Sequence, residues 1–248
     1  MAPSATLSHL HRPDGSATYT HNGYCIIGAV NGPIEVLRRD ELAEEATVEV
    51  NVRMAVGVGS PKERHLETVL TNTLRGIILT RRMPRCLVQI TLQVHSSAEE
   101  HTSLGSKFNS NLLLLPHLLH TSLLSLLSAS IPLSTTLTSS LVATTPTSPG
   151  PVISPTAQSF LRHPPTALHV FTFSGDRKLL LSESEGTFDH EQWDEACEAA
   201  EEVCCKVSGG VEIGEGMEVE GVDENLEEWL RRVVREKVEG EQRWKGAS

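Results

Sequence analysis

The sequence predicts an α+β fold, with mixed and antiparallel sheets around a central buried helix. Three observations predict it. Segments of strand period come in runs and do not alternate strictly with helices, which argues against a doubly wound sheet. A leucine-rich stretch near the middle of the chain is apolar on most sides, as a buried helix must be. Hydrophobic residues make up 39% of the 248 positions but aromatics only 4%, so the core is built from Val, Leu, Ile and Ala packed in layers.

The elements follow in order. Pro13-Asp14-Gly15 is a turn, and Asn22-Gly23 is a hairpin signal between strands at Ser16–His21 and Tyr24–Val30. Asn31-Gly32-Pro33 punctuates the second of these. Thr47–Val56 alternates, with Val48, Val50, Val52, Met54 and Val56 on one face and Glu49, Asn51 and Arg53 on the other. That is the pattern of an antiparallel sheet with one buried and one wet face. The period then changes. Leu66, Val69, Leu70, Leu74, Ile77 and Ile78 predict a helix from Pro61 to about Arg82, with Arg81, Arg82 and Arg85 at its C-terminal end, where cations favour the helix dipole.

Leu87–Val94 reads as a strand and residues 95–111 as a surface loop. The central helix is expected from about Pro116 to Ser130, stopped by Pro132. Within the Ser/Thr-rich stretch that follows, Leu137, Leu141 and Val142 suit a short strand, and 143–160 is Ser/Thr/Pro-rich. Strands at Ala167–Phe173 and Leu179–Ser184 join at Gly175-Asp176. A helix at Asp189–Val207 turns Trp193, Ala196, Cys197, Ala200, Cys204 and Val207 inward. Residues 209–224 are an acidic Gly/Glu linker, and a final helix is expected over 225–240.

The net charge of −11 is local. Residues 1–182 carry 14 Lys/Arg against 12 Asp/Glu, residues 183–228 one base against 17 acids, and the last twenty residues six bases against three acids. A uniform DNA-binding surface is excluded by that distribution. Five cysteines without CxxC spacing, and an N-terminus without an apolar leader, lead us to expect free thiols in a reducing compartment. Leu112–Leu133 is the nearest thing to a membrane span, but two prolines and two histidines interrupt it, and a core helix is expected instead.

Few motifs carry chemistry. Gly57-Val58-Gly59-Ser60-Pro61-Lys62 offers amides and a lysine to an anion but satisfies neither phosphate-loop pattern, so a plain strand-to-helix turn is the reading. His9/His11 and His117/His120 are the close histidine pairs; no carboxylate lies near His117 in sequence, and no cysteine has ligand spacing to either pair. No GxSxG or Ser-x-x-Lys nucleophile is present. Cys204-Cys205 lies among glutamates, which disfavours a reactive thiolate. Most telling, the 75 residues His101–Gly175 contain no Asp or Glu. A site there has no carboxylate with which to bind Mg²⁺ or to transfer a proton.

The ordered motifs resemble a family. His11-Arg12-Pro13-Asp14-Gly15-Ser16 resembles the Arg-x-Asp-Gly opening of RNase PH-like proteins, and Asn31-Gly32-Pro33-Ile34-Glu35-Val36 resembles their Gly-Pro turn. Thr47–Met54, the helix from Lys62-Glu63-Arg64 and Pro84–Val94 follow in the family's order. The resemblance covers about 7–208 and is strongest over 9–94. It implies the RNase PH-like (ribosomal protein S5 domain 2-like) fold and, within the family, a ring subunit of the eukaryotic RNA exosome. Active members hold phosphate in a Gly-Gly-Thr-Arg cradle at the start of the central helix and place a metal with aspartates on later strands. Those positions fall here near Asn111–Leu115, and near Ser154–Thr156 and Thr166–Ala167.

The resemblance therefore implies a non-catalytic subunit with no cofactor and no metal. Its partners would be other RNase PH-like ring subunits, the S1/KH cap subunits, a catalytic nuclease reached through the ring, and single-stranded RNA, with no membrane. The location implied is nucleus, nucleolus and cytoplasm. Candidate RNA contacts are Lys62, Arg64, Arg81, Arg82 and Arg85, which would neutralise phosphates without reading sequence. Two alternatives stay open: a working phosphorolytic 3′–5′ exoribonuclease, and a free-standing RNA-binding module.

Overall fold

A computed structural model describes residues 3–55, 59, 61–97, 110–146, 150–156, 159–160, 164–205 and 225–245. A five-stranded sheet and a four-stranded sheet sandwich one helix. The first contains β1 (Ser4–Leu7), β2 (Gly15–His21), β3 (Tyr24–Glu35), β4 (Thr47–Arg53) and β5 (Cys86–Ser96), in the order β1-β2-β3-β5-β4. The second contains β6 (Leu137–Thr144), β7 (Val152–Ile153), β8 (Ala167–Ser174) and β9 (Leu179–Gly186), in the order β7-β6-β8-β9. The helices are α1 (Pro61–Ile77), α2 (Ser110–Ser128), α3 (His190–Cys204) and α4 (Leu226–Gln242).

The β2–β3 hairpin turns where expected, with positive φ at both Asn22 and Gly23. β3 continues through Asn31-Gly32-Pro33 to Glu35, with a register shift against β5 between Asn31 and Ile34. The two motif regions are tied together here: Asp14 Oδ2 accepts the Gly32 N–H at 2.8 Å. β4 buries Val50 and Val52 and half-buries Val48 and Met54, as its alternation predicts. Its pairing differs from expectation. β4 runs parallel to β5, because α1 carries the chain back across the sheet before β5 begins. Only the other pairings of this sheet are antiparallel.

Several boundaries need correction. β1 was not anticipated; four residues are too short for a periodicity signal, and pairing with β2 creates the strand. α1 ends at Ile77, so Arg81 and Arg82 lie on a separate 3₁₀ turn, Thr80–Arg82, and Arg85 beyond it. The final helix runs to Gln242. The central helix begins six residues before the expected Pro116 and ends at Ser128, two before the expected Ser130. Pro116 removes one backbone N–H from its second turn, but leucines on both sides are buried and hold the helix together. Most of the expected loop at 95–111 and of the Gly57–Ser60 turn, together with Val207 and the 209–224 linker, lies outside the described residues.

α2 packs on β2 and β3 on one side and on β6 and β8 on the other. Although Asn111–Ser128 is long and apolar enough to cross a membrane, 83% of it is buried inside the protein, as befits a core helix. Three of its hydroxyls are satisfied within the helix: Thr121 donates to His117 O, Ser122 to Leu118 O and Ser125 to Thr121 O, at 2.7–2.8 Å. The helix lies so close to the first sheet that a Cβ on Gly28 would sit 2.3 Å from Ser125 Oγ. α3 covers the far face of the second sheet with Ala196, Ala200 and Cys204. α4 docks on the body of the protein through Trp229 and Leu230.

Candidate active-site cleft

The helix N-terminus that the resemblance assigns to a phosphate cradle is present: α2 starts at Ser110, and Asn111–Leu115 form its first turns. What these residues do there is structural. Leu112, Leu113, Leu114 and Leu115 are all buried in the main core. The Asn111 side-chain amide donates to Lys62 O at 3.0 Å, fastening α2 to the start of α1. Methyl groups cannot replace the hydration of an anion. No guanidinium stands beside them in the motif, and phosphate does not fit these residues.

The metal positions fare the same. Ser154 follows β7; its N–H donates to Leu141 O, and its carbonyl accepts from the Asn22 side chain at 3.3 Å. Thr166 donates both its N–H and its hydroxyl to Thr144 O. Serine and threonine hydroxyls are poor ligands for Mg²⁺ without a carboxylate, and none of the described residues between Glu100 and Asp176 supplies one. Among the described residues, no group of three or more His, Cys, Asp or Glu side chains has the geometry to hold a metal.

Between these two positions lies a cavity of about 20 Å³. The inner half of α2 (Leu113, Pro116, His117, His120), the β2–β3 hairpin, the Ser154-Pro155 corner and Leu226 of α4 enclose it. Aromatic and imidazole rings fill the rest of the cleft. Tyr24 stacks on His117 with centroids 4.7 Å apart, His21 meets His117 edge-on at 5.5 Å, and Tyr19 lies 5.4 Å from His120. Trp229 of α4 closes the cluster with its ring edge-on to Tyr19 at 5.8 Å.

The buried members Tyr19, His117 and His120 are held uncharged. Burial, aided by neighbouring His21 and His120, holds the His117 imidazole well below its usual range. Burial and His21 bring His120 down to about 3. Burial likewise raises the Tyr19 phenol above its ordinary value. Neither cation nor anion is favoured in such a site.

The two histidines of α2 were visible in the sequence only as a pair without ligands. Their partners Tyr19, His21, Tyr24 and Trp229 were missed. Tyr19 and His21 share one strand face across a tight turn from Tyr24, which was the available signal. The thiols match expectation: burial pushes Cys204 up to about 12, and burial with nearby carboxylates raises Cys197 and Cys205.

The five candidate RNA contacts are exposed but do not form one patch. Lys62 and Arg64 sit at the start of α1, and Arg64 borders a hollow shared with Arg53, Glu63 and Glu67. Arg81, Arg82 and Arg85 lie past its other end, about 25 Å away for a 17-residue helix. Arg85 also pairs with Glu41 at 3.4 Å.

A two-sheet sandwich over a buried central helix, opened by the Asp14–Gly32 tie, defines an RNase PH-like domain. The family model "3′ exoribonuclease family, domain 1" matches residues 3–139, and the chain belongs to that family. It is 28% identical to the exosome complex component RRP46 of Saccharomyces cerevisiae over 212 residues, covering 82% of this chain and 91% of that protein. It is 36% identical to the exosome complex component rrp46 of Schizosaccharomyces pombe over 85 residues, 34% of this chain and 38% of that one. Among solved structures, rice Rrp46 superposes with a TM-score of 0.68 at 24% identity, covering 79% of this chain and 86% of that chain. The Archaeoglobus fulgidus exosome with RNA bound to the active site gives 0.63 at 12% identity, covering 81% and 84%.

Proposed function

We propose that this chain is a structural subunit of an RNA exosome core ring, a member of an exoribonuclease family that does not itself cleave RNA. The ring assignment is supported by the yeast exosome component that aligns along nearly its whole length. The loss of catalysis rests on one observation: the helix end where an active relative grips phosphate is here four leucines sealed into the core. On this reading the chain assembles with other RNase PH-like subunits, contacts the S1/KH cap subunits, and helps guide single-stranded RNA to a separate nuclease, in nucleus, nucleolus and cytoplasm. The exposed cations at either end of α1 would serve as non-specific phosphate contacts.

A second reading is favoured by a different observation: the plant relatives, 31% and 32% identical over 85 and 91 residues, are named exosome complex exonuclease RRP46 homologs. The two readings separate in one experiment. Purified chain is incubated with 3′-tailed RNA, inorganic phosphate and Mg²⁺, and nucleoside diphosphates are sought. None are expected. Phosphate-dependent release that disappears on a point mutation in the cleft would establish the enzyme reading. Co-expression with candidate ring subunits and co-purification tests assembly separately.

A further inference from the structure

The cleft cavity contains a chemical mismatch that its own protein atoms leave unresolved. His120 Nε2 accepts the Ser139 backbone N–H at 3.0 Å, so its lone pair lies on that nitrogen. A neutral imidazole has one proton, and with Nε2 accepting, the proton is on Nδ1. That Nδ1–H is buried and has no partner among the described protein atoms. One turn away on the same helix face, His117 Nδ1 is buried and likewise without a partner. One nitrogen is therefore a committed donor, and the other is able to accept. Leaving both unmet is the costly case for buried polar groups.

Both rings line the cavity of about 20 Å³. A single water needs about 10–15 Å³ and two to four polar partners. The volume suffices for one water. We propose that the cavity is a built site for one ordered water, which accepts from His120 Nδ1–H and donates to His117 Nδ1. The water links the two histidines across a turn of α2. Through the Ser139 bond, it also fixes the ring that joins α2 to β6. The inference does not depend on ring assembly and extends the account of the cleft: where relatives hold an anion, this protein holds neutral solvent.

The test uses the full-length chain. Long-range ¹H–¹⁵N NMR at pH 7.5 is expected to show His120 as the Nδ1–H tautomer and His117 as the Nε2–H tautomer. Oxygen-17 relaxation dispersion is expected to report one long-lived water that is lost in His117→Phe, while a crystal structure of the unaltered protein places it between the rings. A His120 proton on Nε2, or no water between the rings, overturns the proposal. Titration with Zn²⁺ alone and with inorganic phosphate alone, at millimolar levels, is expected to leave both imidazole signals in place. A stoichiometric shift with Zn²⁺ would make the cavity a metal site, and one with phosphate an anion site. Either result rejects water as its occupant, and the phosphate result would also reopen the enzyme reading.

Discussion

Acid should unfold this protein through two side chains that the cleft keeps uncharged. In the unfolded chain a histidine takes up its proton near pH 6.5, while in the folded protein His120 does so only at about 3, with His117 also well below its usual range. The folded state therefore binds fewer protons than the unfolded state throughout the interval between those values. Above pH 6.5 neither state protonates these rings, and they contribute nothing to pH dependence. Below it each further pH unit favours unfolding by about 1.4 kcal/mol per histidine. At pH 5, 1.5 units down, His120 alone costs about 2 kcal/mol, and His117 adds to the loss in the same direction, an appreciable share of the roughly 5–15 kcal/mol that stabilises a typical domain. Urea unfolding followed by tryptophan fluorescence at pH 7.5 and pH 5.0 measures the loss. His120→Gln keeps an acceptor for the Ser139 N–H but does not titrate. Its loss between the two pH values should be smaller than wild type by about 2 kcal/mol. Carboxylates and the buried His169 contribute equally to both proteins and cancel. Identical pH dependence in variant and wild type would show that His120 is not held neutral by the fold.

Other expectations follow from the packing. Gly28→Ala places a methyl group 2.3 Å from Ser125 Oγ and 2.8 Å from Thr121 Cγ2, and should lower stability by about 1–3 kcal/mol in the same urea assay. Leu114→Ala, in the first turns of α2, should cost about 2–5 kcal/mol because the side chain is 2% exposed; a neutral effect would mean that the leucines are not core residues. Trp229→Ala should cost about 3–5 kcal/mol, since α4 docks through that ring. Cys204 should resist iodoacetamide at pH 8 in the native protein and react fully in urea, because its buried thiol ionises only near pH 12.

Much of the architecture was legible locally. The Asn22-Gly23 hairpin, the alternation of Val48, Val50 and Val52, and the stripe Leu66, Leu70, Leu74, Ile77 each report a single period and a single buried face, and each is found as read. The start of α2 was not legible. A proline in the sequence argues for a helix start, and only burial of the preceding leucines between two sheets shows that the helix runs through it. The parallel pairing of β4 with β5 was hidden as well, because alternation is the same in parallel and antiparallel strands with one buried face.

The sequence alone determined which groups the central segment of this protein can offer to the cleft. Carboxylates missing over the 75 residues His101–Gly175 and the unbroken run Leu112–Leu115 are covalent facts that no folding can reverse. Tertiary structure alone decided what occupies the cleft instead. Tyr19, Tyr24, His117, His120 and Trp229 come from four separate elements, and their meeting depends on how two sheets close over one helix and where α4 docks. Burial sets the charge of those histidines, and burial is a property of the assembled fold, since a side chain loses its water only when distant parts of the chain surround it.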